Sequence, residues 1–197
     1  MLFIMNTKII IHISGASGSG KSFLGSRIKE KLKNNCIVKD LDDLRDEFIN
    51  TFYGNKKWLY IDDYEYQQYI NDYINKQKKP IVFVGLNDNT IYGKNKKLYY
   101  NLHSQYNYYI EIDDMTIVKQ KCLRLLNSIQ NDKFAMNDLI KNNEMFVKNF
   151  SQAVKKECSA KETLKLNTKW KKDYMKQGYK LMSRENIYTN VIRLLSK

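Results

Sequence analysis

The stretch Gly15-Ala16-Ser17-Gly18-Ser19-Gly20-Lys21-Ser22 decides the fold. It consists of a glycine, four further residues and then Gly-Lys-Ser, a pattern that lets backbone N–H groups surround an anion. The preceding residues 8–14 form a short, β-branched and almost entirely apolar run, which is typical of a strand buried on both faces. Residues 20–33 then carry apolar side chains at helical spacing. This strand–loop–helix context favours a phosphate-binding loop over a simple Gly/Ser turn.

Segments with strand and helix patterns alternate along the rest of the chain. Such alternation predicts a parallel sheet with helices on both faces. Together with the phosphate-loop motif it predicts an α/β, three-layer P-loop NTPase fold with about five strands. The chain has 197 residues, one proline and no Gly/Ser-rich linker, so we expect a single domain over residues 1–197. The further predicted strands are 36–38, 81–85, 107–112 and 179–182, and the further helices are 41–52, 64–74, 116–127 and 184–195.

The formal net charge of +13 leaves two interpretations open. The basic residues are mostly lysines spread over the whole chain, which favours a solvated surface over a dedicated nucleic-acid stripe. The three cysteines show no metal-ligand spacing, and their odd, sparse count favours reduced thiols in a cytoplasmic protein. The first residues are too few for a signal-peptide core, and no run reaches the length of a membrane span. The oligomeric state is left open.

Each residue of the loop motif has an expected role towards a bound nucleoside triphosphate, ATP or GTP. The backbone amides of Gly15, Ala16, Ser17, Gly18, Ser19 and Gly20 should surround the phosphates, because small residues and positive φ angles allow close approach. Lys21 should reach the β- and γ-phosphates, and the Ser22 hydroxyl should bind Mg²⁺. A dinucleotide-binding loop is less well supported, since Phe23 occupies the position of its third glycine.

A cluster of aspartates, Asp40, Asp42 and Asp43, follows the second predicted strand. Ligands of parallel sheets bind at the carboxyl ends of strands, so these side chains should face the phosphate loop. We assign Asp42 as the base that takes a proton from the acceptor hydroxyl, and Asp40 as a ligand of the metal or of the substrate hydroxyl. Arg45 lies three residues after Asp42 and can bind an anionic part of the acceptor. Capping of the next helix by Asp40 or Asp42 is the alternative, and is compatible with catalysis.

These two motifs resemble those of P-loop small-molecule and nucleotide kinases. The loop is similar to those of uridine, gluconate and adenylylsulfate kinases, and Asp42-Asp43-Leu44-Arg45 is similar to a motif of adenylylsulfate kinases and of polynucleotide kinases. The resemblance implies that Asp42 is the base and that Arg45 contacts the substrate. It also implies a helical lid over residues 127–172 with its flanks, introduced by Arg124 as a catalytic cation that closes over ATP.

The sequence also departs from the pattern of those kinases. The third predicted strand lacks the usual terminal aspartate, and Asp88 is the candidate that could replace it at the metal site. The function predicted first is transfer of the ATP γ-phosphoryl group to a small-molecule acceptor, a nucleoside or nucleotide. The alternatives are a polynucleotide 5′-hydroxyl kinase acting on nucleic acid, favoured by the motif and the charge, and a nucleotide-binding protein without catalysis.

Overall fold

The computed structural model describes residues 8–54, 61–89, 97–131 and 141–196. The chain forms two compact units. The first unit comprises residues 1–15, 21–110 and 178–197, and the second comprises residues 16–20 and 111–177. Among the described residues, no helix combines the length and the apolarity that crossing a bilayer needs.

The first unit contains a five-stranded parallel sheet in the order β2-β3-β1-β4-β5. The predicted alternation of strands and helices, and with it the α/β fold class, is confirmed. The strands are β1 Ile10–Ser14, β2 Ile37–Asp40, β3 Ile81–Val84, β4 Tyr106–Ile110 and β5 Lys180–Met182. The helices of this unit are α1 Lys21–Leu32, α2 Leu41–Phe52, α3 Asp63–Lys76 and, after β5, α7 Arg184–Leu195, with a 3₁₀ turn at Lys33–Asn35.

Helices cover both faces of this sheet. Ile81 and Phe83 of β3 belong to a buried cluster with Leu44 and Phe48 of α2 and with α3. Successive side chains of a strand point to opposite faces, so Val84 lies on the other face. There Gly25 of α1 approaches it so closely that an added Cβ would lie 3.2 Å from a Val84 methyl. The predicted three-layer arrangement therefore holds in the first unit.

The register of the strands sets which side chains share the carboxyl edge of the sheet. Val84 pairs with Asp40 of β2 on one side and with Ile13 of β1 on the other. The ends of these three strands are therefore level with one another. This places Asp40 and the residues that follow β1 and β3 at one edge, as the sequence predicted.

The described part of the second unit is mainly helical. It contains α4 Asp114–Asn131, α5 Asn143–Glu157 and α6 Ala160–Lys176. α4 packs against both of the other helices, and Lys121 of α4 donates a hydrogen bond to Thr163 Oγ1 of α6 at 3.2 Å. A second hydrogen bond joins Asn167 of α6 to the Asp114 carboxylate at the start of α4. Helical structure predicted between residues 127 and 172 is confirmed where it is described, while residues 132–140 lie outside the described ranges.

Candidate active site

The loop between β1 and α1 turns sharply. Its backbone N–H of Ser19 donates to the Ala16 carbonyl at 3.0 Å, which closes a turn. Gly18 and Gly20 have φ angles of +84° and +83°, a region that L-residues with a side chain rarely adopt. Gly20 is the glycine that the motif requires before Lys21, and Gly18 is one of the four intervening residues, so both positive φ angles of the loop fall on glycines. The loop is turned and not extended, as a phosphate-binding loop must be.

Lys21 and Ser22 begin α1 in the first unit. The Lys21 ammonium is half-buried and donates to the Gly15 carbonyl at 2.8 Å, so it reaches back to the end of β1. The Ser22 side chain is exposed, and its hydroxyl donates to Asp40 Oδ2 at 2.9 Å. The last residue of the loop motif is thus joined to the last residue of β2.

Asp40 has two roles because its two carboxylate oxygens have different partners. Oδ1 accepts the backbone N–H of Asp42 at 3.0 Å and caps α2, while Oδ2 accepts the Ser22 hydroxyl. The backbone at Asp40 is still extended, with φ −75° and ψ 134°, as expected for an N-cap residue that ends a strand. The helix-capping alternative is therefore correct for Asp40, and the cap leaves one oxygen directed to the start of α1.

Asp42 and Arg45 form an ion pair on the first turn of α2. Arg45 Nη1 lies 3.1 Å from Asp42 Oδ1, as predicted for two residues three positions apart on a helix. The arginine side chain is 4% exposed and the aspartate side chain 69% exposed. A buried guanidinium thus holds an exposed carboxylate at the carboxyl edge of the sheet.

Tyr66 is a buried neighbour of Arg45. Burial is the main cause that raises the pKa of its phenol, so the hydroxyl stays neutral and can both donate and accept hydrogen bonds.

A buried chain of hydrogen bonds lies behind this edge. His12 of β1 is fully buried, with Nε2 3.0 Å from the Gly85 carbonyl and Nδ1 2.6 Å from the Tyr179 hydroxyl. A carbonyl can only accept, so Nε2 carries the proton and the Tyr179 hydroxyl donates to Nδ1. Burial lowers the pKa of His12 to about 4, the Gly85 carbonyl opposes this shift, and the Lys21 cation adds to it. His12 is therefore neutral at physiological pH, and its predicted place in the core is confirmed.

Gly85 links that chain to Asp40. Its φ angle is +133°, and a Cβ built on it would lie 2.9 Å from the Leu41 Cβ and 3.5 Å from Asp40 Oδ1. Only glycine allows β3 to end this close to the beginning of α2. The sequence placed Gly85 at the carboxyl edge of the sheet but gave neither Gly85 nor Tyr179 a role, although a glycine directly after a buried strand was a usable signal of close approach.

Asp88 lies further along the same loop and is fully buried. Its carboxylate is 3.7 Å from the Lys97 ammonium, and its backbone forms an isolated bridge with Tyr99. Within the described ranges, no cluster of three or more His, Cys, Asp and Glu side chains could hold a metal ion. The assignment of Asp88 to a metal site therefore remains a prediction, and its lysine partner gives it a structural role.

A second polar group, which local sequence patterns did not reveal, lies on the neighbouring loops. Asp63 at the start of α3 accepts a hydrogen bond from the Tyr100 hydroxyl at 2.7 Å and from the Asn89 amide at 3.3 Å. Asn87 donates from its side chain to the Tyr100 carbonyl at 2.8 Å. These residues are scattered in sequence and gave no local motif, so only the fold could bring them together.

In the second unit, the loop residue Gly18 packs against α4. A Cβ on Gly18 would lie 3.3 Å from Lys121 Cγ and 3.4 Å from the Ile117 carbonyl. Lys121 is thus the basic side chain of α4 beside the loop, and Arg124 follows three residues later with an exposed side chain. The closing motion that the kinase resemblance implies for Arg124 and for residues 127–172 remains a prediction.

No protein-family model matches the sequence, and no curated protein matches it significantly. Solved structures with a similar arrangement include an uncharacterized protein from Eubacterium ventriosum, with 15% identity, a TM-score of 0.44 and coverage of 96% of this chain and 99% of that one. A shikimate kinase from Acinetobacter baumannii, solved with shikimate, has 11% identity and a TM-score of 0.44, covering 95% of this chain and 93% of the other. A shikimate kinase from Bacteroides thetaiotaomicron has 14% identity and a TM-score of 0.41, covering 96% and 99%. Likeness at this level does not extend to a substrate or an activity.

Proposed function

We propose that this chain is an ATP-dependent (or GTP-dependent) P-loop kinase that transfers the γ-phosphoryl group to a small hydroxyl or phosphate acceptor, with nucleosides and nucleotides as the first candidates. The observation that carries the proposal is the hydrogen bond of 2.9 Å between Ser22 and Asp40. It joins the last residue of the phosphate-loop motif to an acidic residue at the end of β2, beside the predicted base Asp42. A kinase needs these two functions, phosphate binding and acceptor activation, at one edge of its sheet.

The residues present fit a bound Mg²⁺–nucleotide. Ser22 and Asp40 offer a hydroxyl and a carboxylate, the oxygen donors that Mg²⁺ prefers, and the Ser22 side chain is exposed. Gly18 and Gly20 adopt backbone angles that leave the loop amides without obstructing side chains. When bound, the metal would supply positive charge to the transferring phosphoryl group.

Lys21 supplies the other fixed charge of the loop. Its ammonium already lies over the end of β1, held by the Gly15 carbonyl at 2.8 Å. An ammonium has three rotatable donors, which can turn to phosphate oxygens when a nucleotide binds. Arg124 on α4 is proposed as an additional cation for the developing charge, the role that the kinase resemblance implies for it.

Asp42 is proposed as the residue that orients the acceptor hydroxyl and takes its proton. An ionised carboxylate only accepts hydrogen bonds, and Arg45 contacts Asp42 through Oδ1. The hydroxyl of the phosphoryl acceptor can therefore donate to Asp42 Oδ2. The contact of 3.1 Å from the buried guanidinium fixes the direction of this carboxylate. Arg45 is then a positioning residue for Asp42, and a site for an anionic group of the acceptor.

The experiment that tests this function is transfer of radiolabelled γ-phosphate from ATP or GTP to a panel of nucleosides, nucleotides and oligonucleotides with 5′-hydroxyl ends. We expect label in a small acceptor and its loss in Asp42→Asn. Labelling of oligonucleotides alone would favour the polynucleotide kinase alternative. Tight ATP binding with no transfer to any acceptor would leave the non-catalytic alternative and overturn the proposal.

A further inference from the structure

One face of α6 carries an unusually regular set of cations. Its members, each one helical turn after the previous one, are Lys161, Lys165, Lys169, Lys172 and Lys176, here called the lysine row. The spacing of three or four residues places all five along one side of the helix, because an α-helix has about 3.6 residues per turn. All five side chains are exposed.

The lysine row points away from the neighbouring helix. The buried residues of α6 are Thr163, Asn167 and Tyr174, and the first two contact Lys121 and Asp114 of α4. At about 100° per residue, these three lie on the side of α6 opposite to the row. Within the part of the chain that the structure describes, no lysine of the row forms an ion pair. Among the described residues of this unit, the row is thus a strip of positive charge that helix packing does not use.

A shallow groove adjoins the carboxyl-terminal half of the row. It has a volume of about 470 Å³ and is lined by Thr168, Lys171, Lys172, Met175 and Lys176. Met175 is 50% exposed and offers apolar surface between the lysines. Cations beside an apolar side chain and a hydroxyl donor match the mixed chemistry of a nucleotide unit, which has a phosphate, a sugar and a flat base.

We propose that the lysine row of α6 binds single-stranded nucleic acid along its phosphate backbone. A flexible single strand can follow a straight row of ammonium groups, and the groove can receive a base or sugar. Binding should not depend on the nucleotide sequence, because lysines that contact phosphates do not distinguish one base from another. This inference concerns the second unit alone and does not depend on the proposed kinase activity.

The test measures binding of a fluorescent single-stranded oligonucleotide of about 16 nucleotides by anisotropy. The protein is the full chain carrying Lys21→Ala, without nucleotide, so that the Lys21 cation and catalysis do not contribute. Five phosphate contacts predict a slope of log affinity against log salt of about −3.5, which is roughly a hundredfold loss between about 50 and 200 mM salt. Replacing the five lysines of the row by glutamine should lower affinity by about tenfold or more and flatten that slope.

The matched control removes the same charge elsewhere. It replaces five exposed lysines of the first unit by glutamine, namely Lys29, Lys31, Lys76, Lys78 and Lys79. We expect the control to keep most of the affinity and the slope. Equal losses of oligonucleotide affinity in both variants would mean that the row contributes only through the net charge of the protein, which would overturn the proposal. Absence of binding at low salt would do the same, as would equal row-dependent binding of polyglutamate or of anionic lipid vesicles.

Discussion

The hydroxyl of Ser22 donates a hydrogen bond to the carboxylate of Asp40, across 2.9 Å at the carboxyl edge of the sheet. The two residues are 18 positions apart in sequence and lie at the starts of two different helices, Ser22 in the first turn of α1 and Asp40 at the cap of α2. Because Asp40 also caps α2, this contact is the reason for assigning both helix capping and the proposed metal binding to the same carboxylate. The two roles can be separated, because they use different oxygens of Asp40.

Substitution of Asp40 should separate capping from catalysis. Asparagine is a good N-cap, so Asp40→Asn should change the free energy of unfolding by less than about 0.5 kcal/mol, whereas Asp40→Ala should cost about 1 kcal/mol. Both variants lose the negative charge, so both should need more Mg²⁺ for half-maximal phosphotransfer. Urea unfolding and Mg²⁺ titration of the activity measure the two effects. An Asn variant with an unchanged Mg²⁺ requirement would remove Asp40 from the metal site.

Asp42 and Asp43 are neighbours that should behave differently. Both are exposed on the first turn of α2, but only Asp42 contacts the buried Arg45. We expect Asp42→Asn to lower kcat by about 10²–10⁴-fold, the usual contribution of a general base. Asp43→Asn, the matched control, should keep activity within about twofold, since the assigned chemistry does not use it. Similar kcat values for the two variants would refute the assignment of the base.

Local sequence patterns suffice to predict some parts of the fold. The buried runs before Gly15 and after Pro80 predicted β1 and β3, because apolar β-branched runs have few alternatives in a sheet covered on both faces. The pair Asp42–Arg45 was also predictable, since it needs only helical spacing. The sequence placed Asp40 at the same edge as the phosphate loop, because both follow strands of one parallel sheet. The direct contact between Ser22 and Asp40 was not predictable in this way, since it depends on the register of β2 and β3. The hydrogen-bonded chain Tyr179–His12–Gly85 was not predictable either, because only the sheet order brings its segments together.

The exact ends of the strands were also less predictable than the strands themselves. The strand expected over residues 107–112 is Tyr106–Ile110, because Asp113 instead accepts the Thr116 N–H at 2.8 Å and belongs to the start of α4. The second strand extends to Asp40, two residues beyond the apolar run that predicted it. A polar residue can end a strand when its side chain caps the next helix, and apolar patterning alone does not report this.

The buried His12 predicts a pH dependence of stability. Its pKa is about 4 in the folded protein, against the usual value of 6.5. Below pH 6.5 the unfolded chain therefore binds a proton at His12 that the folded chain does not bind. The contribution of neutral His12 to the free energy of unfolding is fully present above pH 6.5 and is lost as the pH falls towards 4. The loss amounts to roughly 3 kcal/mol, because a pKa difference of one between the folded and unfolded states corresponds to about 1.4 kcal/mol.

The control for this prediction is His12→Gln, whose amide can donate to Gly85 and accept from Tyr179 without titrating. Urea unfolding at neutral pH and near pH 4 gives the free energy of unfolding for each protein. Carboxylates contribute equally to both, so the difference between the two acid-induced losses reports His12. Equal losses in both proteins would contradict a neutral, desolvated histidine.

Gly85 should be far less tolerant of alanine than Gly54. Both have positive φ angles, +133° and +56°, but a Cβ meets the Leu41 Cβ at 2.9 Å in Gly85 and nothing within 4 Å in Gly54. Gly54→Ala should cost about 1 kcal/mol of backbone strain, while Gly85→Ala should cost about 3 kcal/mol or more and displace the start of α2. Thermal unfolding measures both. Equal costs would mean that β3 and α2 do not approach closely at this point.

The central claim is that residues 15–22 bind the phosphates of a nucleotide and that Lys21 acts in transfer of the γ-phosphoryl group. The most direct test compares the parent chain with Lys21→Ala by calorimetric titration with Mg²⁺–ATP and by γ-phosphate transfer, with circular dichroism to verify the fold. We predict binding and transfer by the parent chain, no detectable transfer by Lys21→Ala, and an unchanged circular dichroism spectrum. Full transfer activity in a folded Lys21→Ala chain, or no nucleotide binding by the parent, would contradict the claim.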